Sequence, residues 1–174
     1  LILIGLALLA LAASGPQIGM RVRPIERKGV DLVIALDTST SMDAEDVTPS
    51  RLAKAKFELG RLIRKLKGDR VAIIVFAGSS HLYLPLTTDY EAALLFLNEI
   101  DTDMIPTQGT ALSSAMNTAM NAFTEETDKF KVMLMVTDGE DHEGQAVELA
   151  TQAAKSGLMI NTVGVGSEMG SLIP

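Results

Sequence analysis

An acid and two hydroxyls alternate in Asp37-Thr38-Ser39-Thr40-Ser41, directly after the apolar run Asp31–Leu36. That run has the length and β-branched content of a strand buried on both faces. The three oxygen-bearing side chains therefore fall where the strand gives way to a loop at its carboxyl end. In open α/β sheets this is the edge at which ligands bind. Oxygen donors converging there suit a hard divalent cation. A second apolar run, Phe130–Val136, ends in Thr137-Asp138-Gly139-Glu140-Asp141. If the two strands are neighbours, Asp37 and Asp138 overhang one crevice. Thr110 follows Gln108-Gly109 at the start of a helix, where its hydroxyl can face the same crevice and the glycine lets the backbone approach closely. The plainer reading makes Ser39 and Ser41 turn hydroxyls and Asp37 a helix cap; the joint presence of Thr110 and Asp138 weighs against it.

The elements that must position these residues follow from hydrophobic period and punctuation. After an acidic turn (Asp43, Glu45, Asp46), Thr48-Pro49 reads as an N-cap with proline at the first helical position. Leu52, Ala55, Leu59, Leu62, Ile63 and Leu66 then recur at helical spacing until Gly68. Arg70–Ala77 is a second buried strand, turned by Gly78-Ser79-Ser80 into His81–Leu86, whose Pro85 marks an edge strand. Thr88-Asp89 opens a helix through Ile100, Asp101–Gly109 is a polar loop, and Thr110–Phe123 is helical. Gly144–Ser156 is a further helix and Leu158–Val165 a fourth buried strand. Strands alternating with helices predict an α/β, Rossmann-like doubly wound, mostly parallel sheet, with one short antiparallel edge strand.

Bulk properties narrow the chemistry. The 174 residues suit one domain with a sizeable core. Aromatic residues make up 4%, there is no Trp, and the formal net charge is -7. Stacking platforms and phosphate-backbone binding are therefore disfavoured, so no nucleic-acid partner is expected. The absence of cysteine removes disulfides, thiolate metal sites and Cys nucleophiles. Leu1–Ala13 is unbroken apolar sequence before Ser14-Gly15-Pro16, which fits the end of a transmembrane helix over 1–19. A signal-peptide core with Ala12-Ala13-Ser14 as cleavage site, or a buried helix, is the alternative. Residues 20–29 form a basic linker with Arg21, Arg23, Arg27 and Lys28, which leans cytoplasmic by the positive-inside rule. The globular domain spans 30–174.

Asp37-x-Ser39-x-Ser41, followed by Thr110 and then by Asp138-Gly139, resembles the metal-ion-dependent adhesion site (MIDAS) of von Willebrand factor A (VWA) domains. The segments Val30–Met42, Leu66–Val71, Leu84–Tyr90, Ile105–Thr110 and Thr137–Gly144 further resemble membrane-anchored bacterial A-domain proteins of the aerotolerance (Bat, BatB-like) type. The resemblance implies that Ser39, Ser41 and Thr110 ligate the ion through hydroxyls, while Asp37 and Asp138 act through bound waters and orient the serines. Mg²⁺ is the implied ion, with Mn²⁺ or Ca²⁺ as alternatives. The resemblance also implies a protein partner that supplies a Glu or Asp carboxylate as sixth ligand. It extends to sibling VWA proteins, a MoxR-type AAA+ ATPase and a place at the bacterial inner membrane, with no catalysis.

Other residues read more simply. His81 is an edge-strand surface residue. His142 lies near Asp138, but Gly78-Ser79-Ser80 lacks the second glycine of a nucleophile elbow. Gly164-Val165-Gly166 lacks the rest of a dinucleotide fingerprint. The methionines are core gap fillers. The rival reading is a Mg²⁺-dependent phosphoryl-transfer or hydrolytic enzyme using Asp37 and Asp138. Such a site needs a cation to hold the transferring group, and neither acid-bearing loop contains Lys or Arg. A third reading is a domain that binds partners without metal.

Overall fold

The structure, a computed structural model, describes residues 29–123, 129–139 and 146–167, together with Ile2, Ile4 and Gly5. Five strands form one sheet: β1 (Val30–Asp37), β2 (Arg70–Phe76), β3 (Ser80–Thr87), β4 (Phe130–Thr137) and β5 (Leu158–Gly164). Among the described residues four helices join them: α1 (Arg51–Ile63), α2 (Tyr90–Glu99), α3 (Leu112–Ala122) and α4 (Ala146–Lys155). The strand order is β3-β2-β1-β4-β5. β1 runs parallel to both β2 and β4, β4 runs parallel to β5, and only β3 is antiparallel.

The central strand carries the two cores on alternate residues, as the period of two requires. Leu32, Ile34 and Leu36 face α1 and α2, meeting Leu52, Leu59, Ile63 and Leu97. Val33 and Ala35 face α3 and α4, meeting Ala115, Met116, Ala119 and Ala153. Burying each of Leu52, Leu59 and Ile63 contributes on the order of 2 kcal/mol. The sheet is thus doubly wound, and the expected α/β architecture with its antiparallel edge strand is what the chain forms. At the amino end of β1, Asp31 is buried and accepts a forked pair from Arg70, Nε at 2.8 Å and Nη2 at 2.7 Å.

Several local expectations need correction. The N-cap of α1 is Ser50, whose Oγ accepts from Ala53 N at 3.2 Å; Thr48-Pro49 precedes it with a cis peptide bond. α1 itself ends at Ile63, so Leu66 packs from the turn beyond it. The loop over 101–109 is less open than its polarity suggests. It contains a 3₁₀ turn (Thr102–Met104), and Thr102 and Ile105 are buried. The largest departure is β5. Its apolar residues read as a buried strand, yet Met159 is 60% and Val163 46% exposed. Among the described strands β5 has a neighbour on one side only, and composition does not report neighbours. Met159 is accordingly no gap filler, whereas Met42, Met116, Met133 and Met135 are buried as expected.

The apolar segment over 1–13 lies, apart from Ile2, Ile4 and Gly5, outside the described residues, as do the basic linker except Gly29, the 125–128 turn and the stretch Glu140–Gly144 with His142. Among the described residues no helix is long and apolar enough to cross a membrane.

Candidate metal centre at the carboxyl edge of the sheet

Parallel pairing brings the carboxyl ends of β1, β2 and β4 to one edge of the sheet. Asp37 stands beside Phe76, and Leu36 beside Val136. The next residue of β4 is Thr137, whose Oγ1 donates to Asp37 Oδ2 at 2.6 Å. The other carboxylate oxygen, Oδ1, accepts from Ser39 N–H at 2.9 Å and so closes the turn out of the strand. A 3₁₀ turn over Thr40–Asp43 follows and carries Ser41 back toward Ser39, their hydroxyl oxygens 2.9 Å apart. Asp37, Ser39 and Ser41 are all buried.

Thr110 reaches the same edge by a different route. Ala111 N–H donates to the Ala77 carbonyl at 2.7 Å, just past β2, and Gly78 N–H donates to the Thr107 carbonyl at 2.9 Å. Gln108 Oε1 accepts from Thr40 N–H at 3.1 Å. These bonds tie both flanks of Thr110 to the ends of β1 and β2. Two glycines permit the approach. A Cβ on Gly78 would stand 2.6 Å from the Gln108 carbonyl oxygen, and Gly109 adopts φ +126 against Gly78. Gly109 therefore does what its position suggested, while the role of Gly78 goes beyond a turn.

Asp138 completes the set from the end of β4. Its Oδ2 accepts from Arg51 Nη1 at 2.9 Å, and its Oδ1 is buried with no hydrogen-bond partner. Burial pushes the Asp37 carboxyl above its ordinary value, hydrogen bonds from Thr137 and Ser39 pull it back, and the charge of Asp138 adds a further upward push. Two carboxylates held out of water beside each other favour a cation between them. Among the described residues no group of three or more His, Asp or Glu gathers for an ion; the donors here are two carboxylates and three hydroxyls. An orphaned buried oxygen, paired serine hydroxyls and an all-oxygen donor set fit a small hard cation better than a soft one.

All five residues singled out by spacing thus sit at the ends of the central strands or on the loop bonded to them. Two others were missed. Thr137 stood in the quoted motif without a role. Arg51 lies outside both acid-bearing loops, at the first residue of α1, although a cation at a helix amino terminus opposes the macrodipole and so signals an acidic partner. Asp46, read in the sequence only as part of an acidic turn, is that partner: its carboxylate accepts from Arg51 Nε at 2.8 Å and Nη2 at 3.0 Å. These bonds hold the Asp46 carboxyl well below the usual carboxylate range. Asp43 is likewise engaged, accepting from Thr102 Oγ1 at 2.7 Å, whereas Glu45 is exposed.

Comparison with known proteins agrees with this architecture. A sequence model of the von Willebrand factor type A domain matches residues 32–140. The fold superposes on a conserved hypothetical protein, BatB, from Bacteroides thetaiotaomicron, with a TM-score of 0.82 and 46% identity over 84% of this chain and 71% of that one. An aerotolerance-related membrane protein from Bacteroides fragilis gives a TM-score of 0.81 and 44% identity over 84% and 72% of the two chains. A UPF0353 protein from Nocardia farcinica is 29% identical over 99% of this chain and 55% of its own length. The chain spans about half the length of the curated relatives it matches. On this evidence the chain belongs to the von Willebrand factor type A domain family, with BatB-type aerotolerance proteins among its relatives.

Proposed function

We propose that the chain is a Mg²⁺-dependent protein-binding domain working at a bacterial inner membrane. The observation that carries this reading is the pairing of Ser39 and Ser41 hydroxyls at 2.9 Å on one loop together with the buried, unpartnered Asp138 Oδ1 on the loop that Arg51 joins to it. Ser39, Ser41 and Thr110 would hold the ion through neutral hydroxyls, with Asp37 and Asp138 accepting from its waters. When bound, the ion supplies an incompletely neutralised charge and an open position for a carboxylate of a partner protein. Asp37, fixed by Thr137 and by Ser39 N–H, holds the loop that carries both serines. Mn²⁺ and Ca²⁺ are the alternative ions, and the ionic radius that the loops tolerate would choose between them.

The membrane setting rests on the apolar run Leu1–Ala13 and on the description of the Bacteroides fragilis relative as a membrane protein. The likeness to Bat-type proteins adds sibling VWA proteins and a MoxR-type AAA+ ATPase as the wider assembly. An enzyme acting on phosphoryl groups wants a cation free to grip them. Arg51 reaches Asp138, but both faces of its fork are already taken by Asp46 and Asp138. That engagement favours binding over catalysis.

Isothermal titration with Mg²⁺ tests the ion, and capture of membrane extracts on the immobilised domain in Mg²⁺ against EDTA tests the partner contact. The wild type should bind Mg²⁺, with Ser39→Ala and Thr110→Ala weaker by tenfold or roughly more. No binding by the wild type overturns the ion; capture indifferent to EDTA and to Ser39→Ala overturns the carboxylate contact.

A further inference from the structure

Arg51 makes one connected set of contacts that the metal reading does not use. Its Nε and Nη2 fork onto Asp46, while Nη1 donates to Asp138 Oδ2 at 2.9 Å and reaches the Ser41 carbonyl at 3.4 Å. Nη1 therefore touches two donor-bearing loops at once, the one after β1 and the one after β4. Gly166 lies against the guanidinium, where a Cβ would stand 3.3 Å from Nε. Asp46 Oδ2 accepts in addition from Ser167 N–H at 2.7 Å, which anchors the anchor. The Arg51 side chain is 11% and that of Asp138 3% exposed. A pair so shielded keeps its geometry far better than a surface ion pair.

We infer that Arg51 is a positioning residue of the ion site: held by Asp46, it grips one oxygen of Asp138 and the Ser41 backbone, so the two loops meet in a set register with Asp138 Oδ1 left for the ion's shell. The inference rests on the metal reading and deepens it. The planar fork is what the arrangement requires. One guanidinium presents parallel donors to Asp46 and a third donor, on the other arm, to Asp138. An ammonium at the end of a lysine is a point charge that can serve one of these acids at a time. Outer contacts of this kind change metal affinity by about ten- to a hundredfold in other sites.

The test is a double-mutant cycle on Mg²⁺ affinity by titration calorimetry, with Mn²⁺ by electron paramagnetic resonance for weak variants. Arg51→Lys should weaken binding by about tenfold or more in the wild-type background. In an Asp138→Ala background the same change should do less, because the carboxylate that Arg51 positions is gone. Asp46→Ala, which leaves Arg51 and Asp138 in place and removes the anchor, should weaken binding several-fold. It also serves if Arg51→Lys does not fold, as judged by circular dichroism. Unchanged or tighter binding in Arg51→Lys overturns the inference, as does equal weakening in both backgrounds, the mark of a merely structural role. In those cases the wild type still binds, and the metal reading stands. Failure of the wild type to bind Mg²⁺ or Mn²⁺ overturns both.

Discussion

Thr137 Oγ1 donates to Asp37 Oδ2 at 2.6 Å across a sequence separation of 100 residues, joining the carboxyl ends of β4 and β1. Gly139 N–H in turn donates to the same Thr137 oxygen at 3.2 Å, so the threonine links the Asp37 and Asp138 loops. Thr137→Val keeps the strand and the volume while removing the hydroxyl. We expect Mg²⁺ affinity to fall about tenfold and stability to fall by about 1–3 kcal/mol, since a buried carboxylate oxygen loses its donor. Thr137→Ser should restore most of both. Titration and chemical denaturation decide, and an unchanged affinity in Thr137→Val would refute the role.

Asp37 is a cost to the ion-free fold. Burial raises its carboxyl above the ordinary value, so the protonated form is the one folding favours. A group raised in this way contributes stability at low pH and loses it as pH rises through the carboxylate range. Asp37→Asn removes the charge but leaves one oxygen for two donors, Thr137 Oγ1 and Ser39 N–H, so the pH dependence is the diagnostic rather than the absolute stability. In EDTA, the stability of the wild type relative to Asp37→Asn should fall as pH rises through the carboxylate range. Mg²⁺ binding by Asp37→Asn should be lost. A difference that stays constant or grows in favour of the wild type as pH rises contradicts the prediction.

The Asp46–Arg51 pair carries the opposite sign. Its hydrogen bonds hold the Asp46 carboxyl below the usual range, so its stabilisation is fully present above the unfolded value and fades as pH falls through the folded one. Asp46→Asn should therefore be less stable than the wild type at neutral pH, and the gap should close below about pH 4. Urea denaturation at a series of pH values checks this, and a gap that persists or widens on acidification argues against it.

Gly78→Ala probes the approach that seats Thr110. The added methyl would lie 2.6 Å from the Gln108 carbonyl oxygen and 2.8 Å from that of Thr107, both backbone atoms. The loop must move, at a cost of about 1–3 kcal/mol, and Thr110 moves with it. Weakened Mg²⁺ binding together with lowered stability is the expected pair of results; wild-type affinity would mean that the loop does not seat the threonine.

Asp31→Ala supplies the contrast at the opposite edge of the sheet. It leaves half-buried Arg70 without its forked partner, which should destabilise the fold by about 1–3 kcal/mol. Mg²⁺ affinity measured where the variant is still folded should match the wild type, because the pair lies at the amino end of β1. A change in affinity would show that the two edges are coupled.

The alternation of strands with helices, the antiparallel edge strand and the placement of Asp37, Ser39, Ser41, Thr110 and Asp138 just past strands or before a helix were legible in the sequence, because each depends on local spacing. A buried strand announces itself by composition, and residues just past its end must lie at one edge of a parallel sheet. The tertiary structure alone decided which distant groups meet there. Thr137 holds Asp37 because β4 and β1 are neighbours, and Arg51 reaches Asp138 because α1 starts above that same edge. Neither distance is written in a spacing of three, four or two residues. The exposure of β5 is of the same kind: Met159 and Val163 look like core residues in a window of sequence. Whether a strand is buried depends on what lies beside it, and that is a property of the whole sheet.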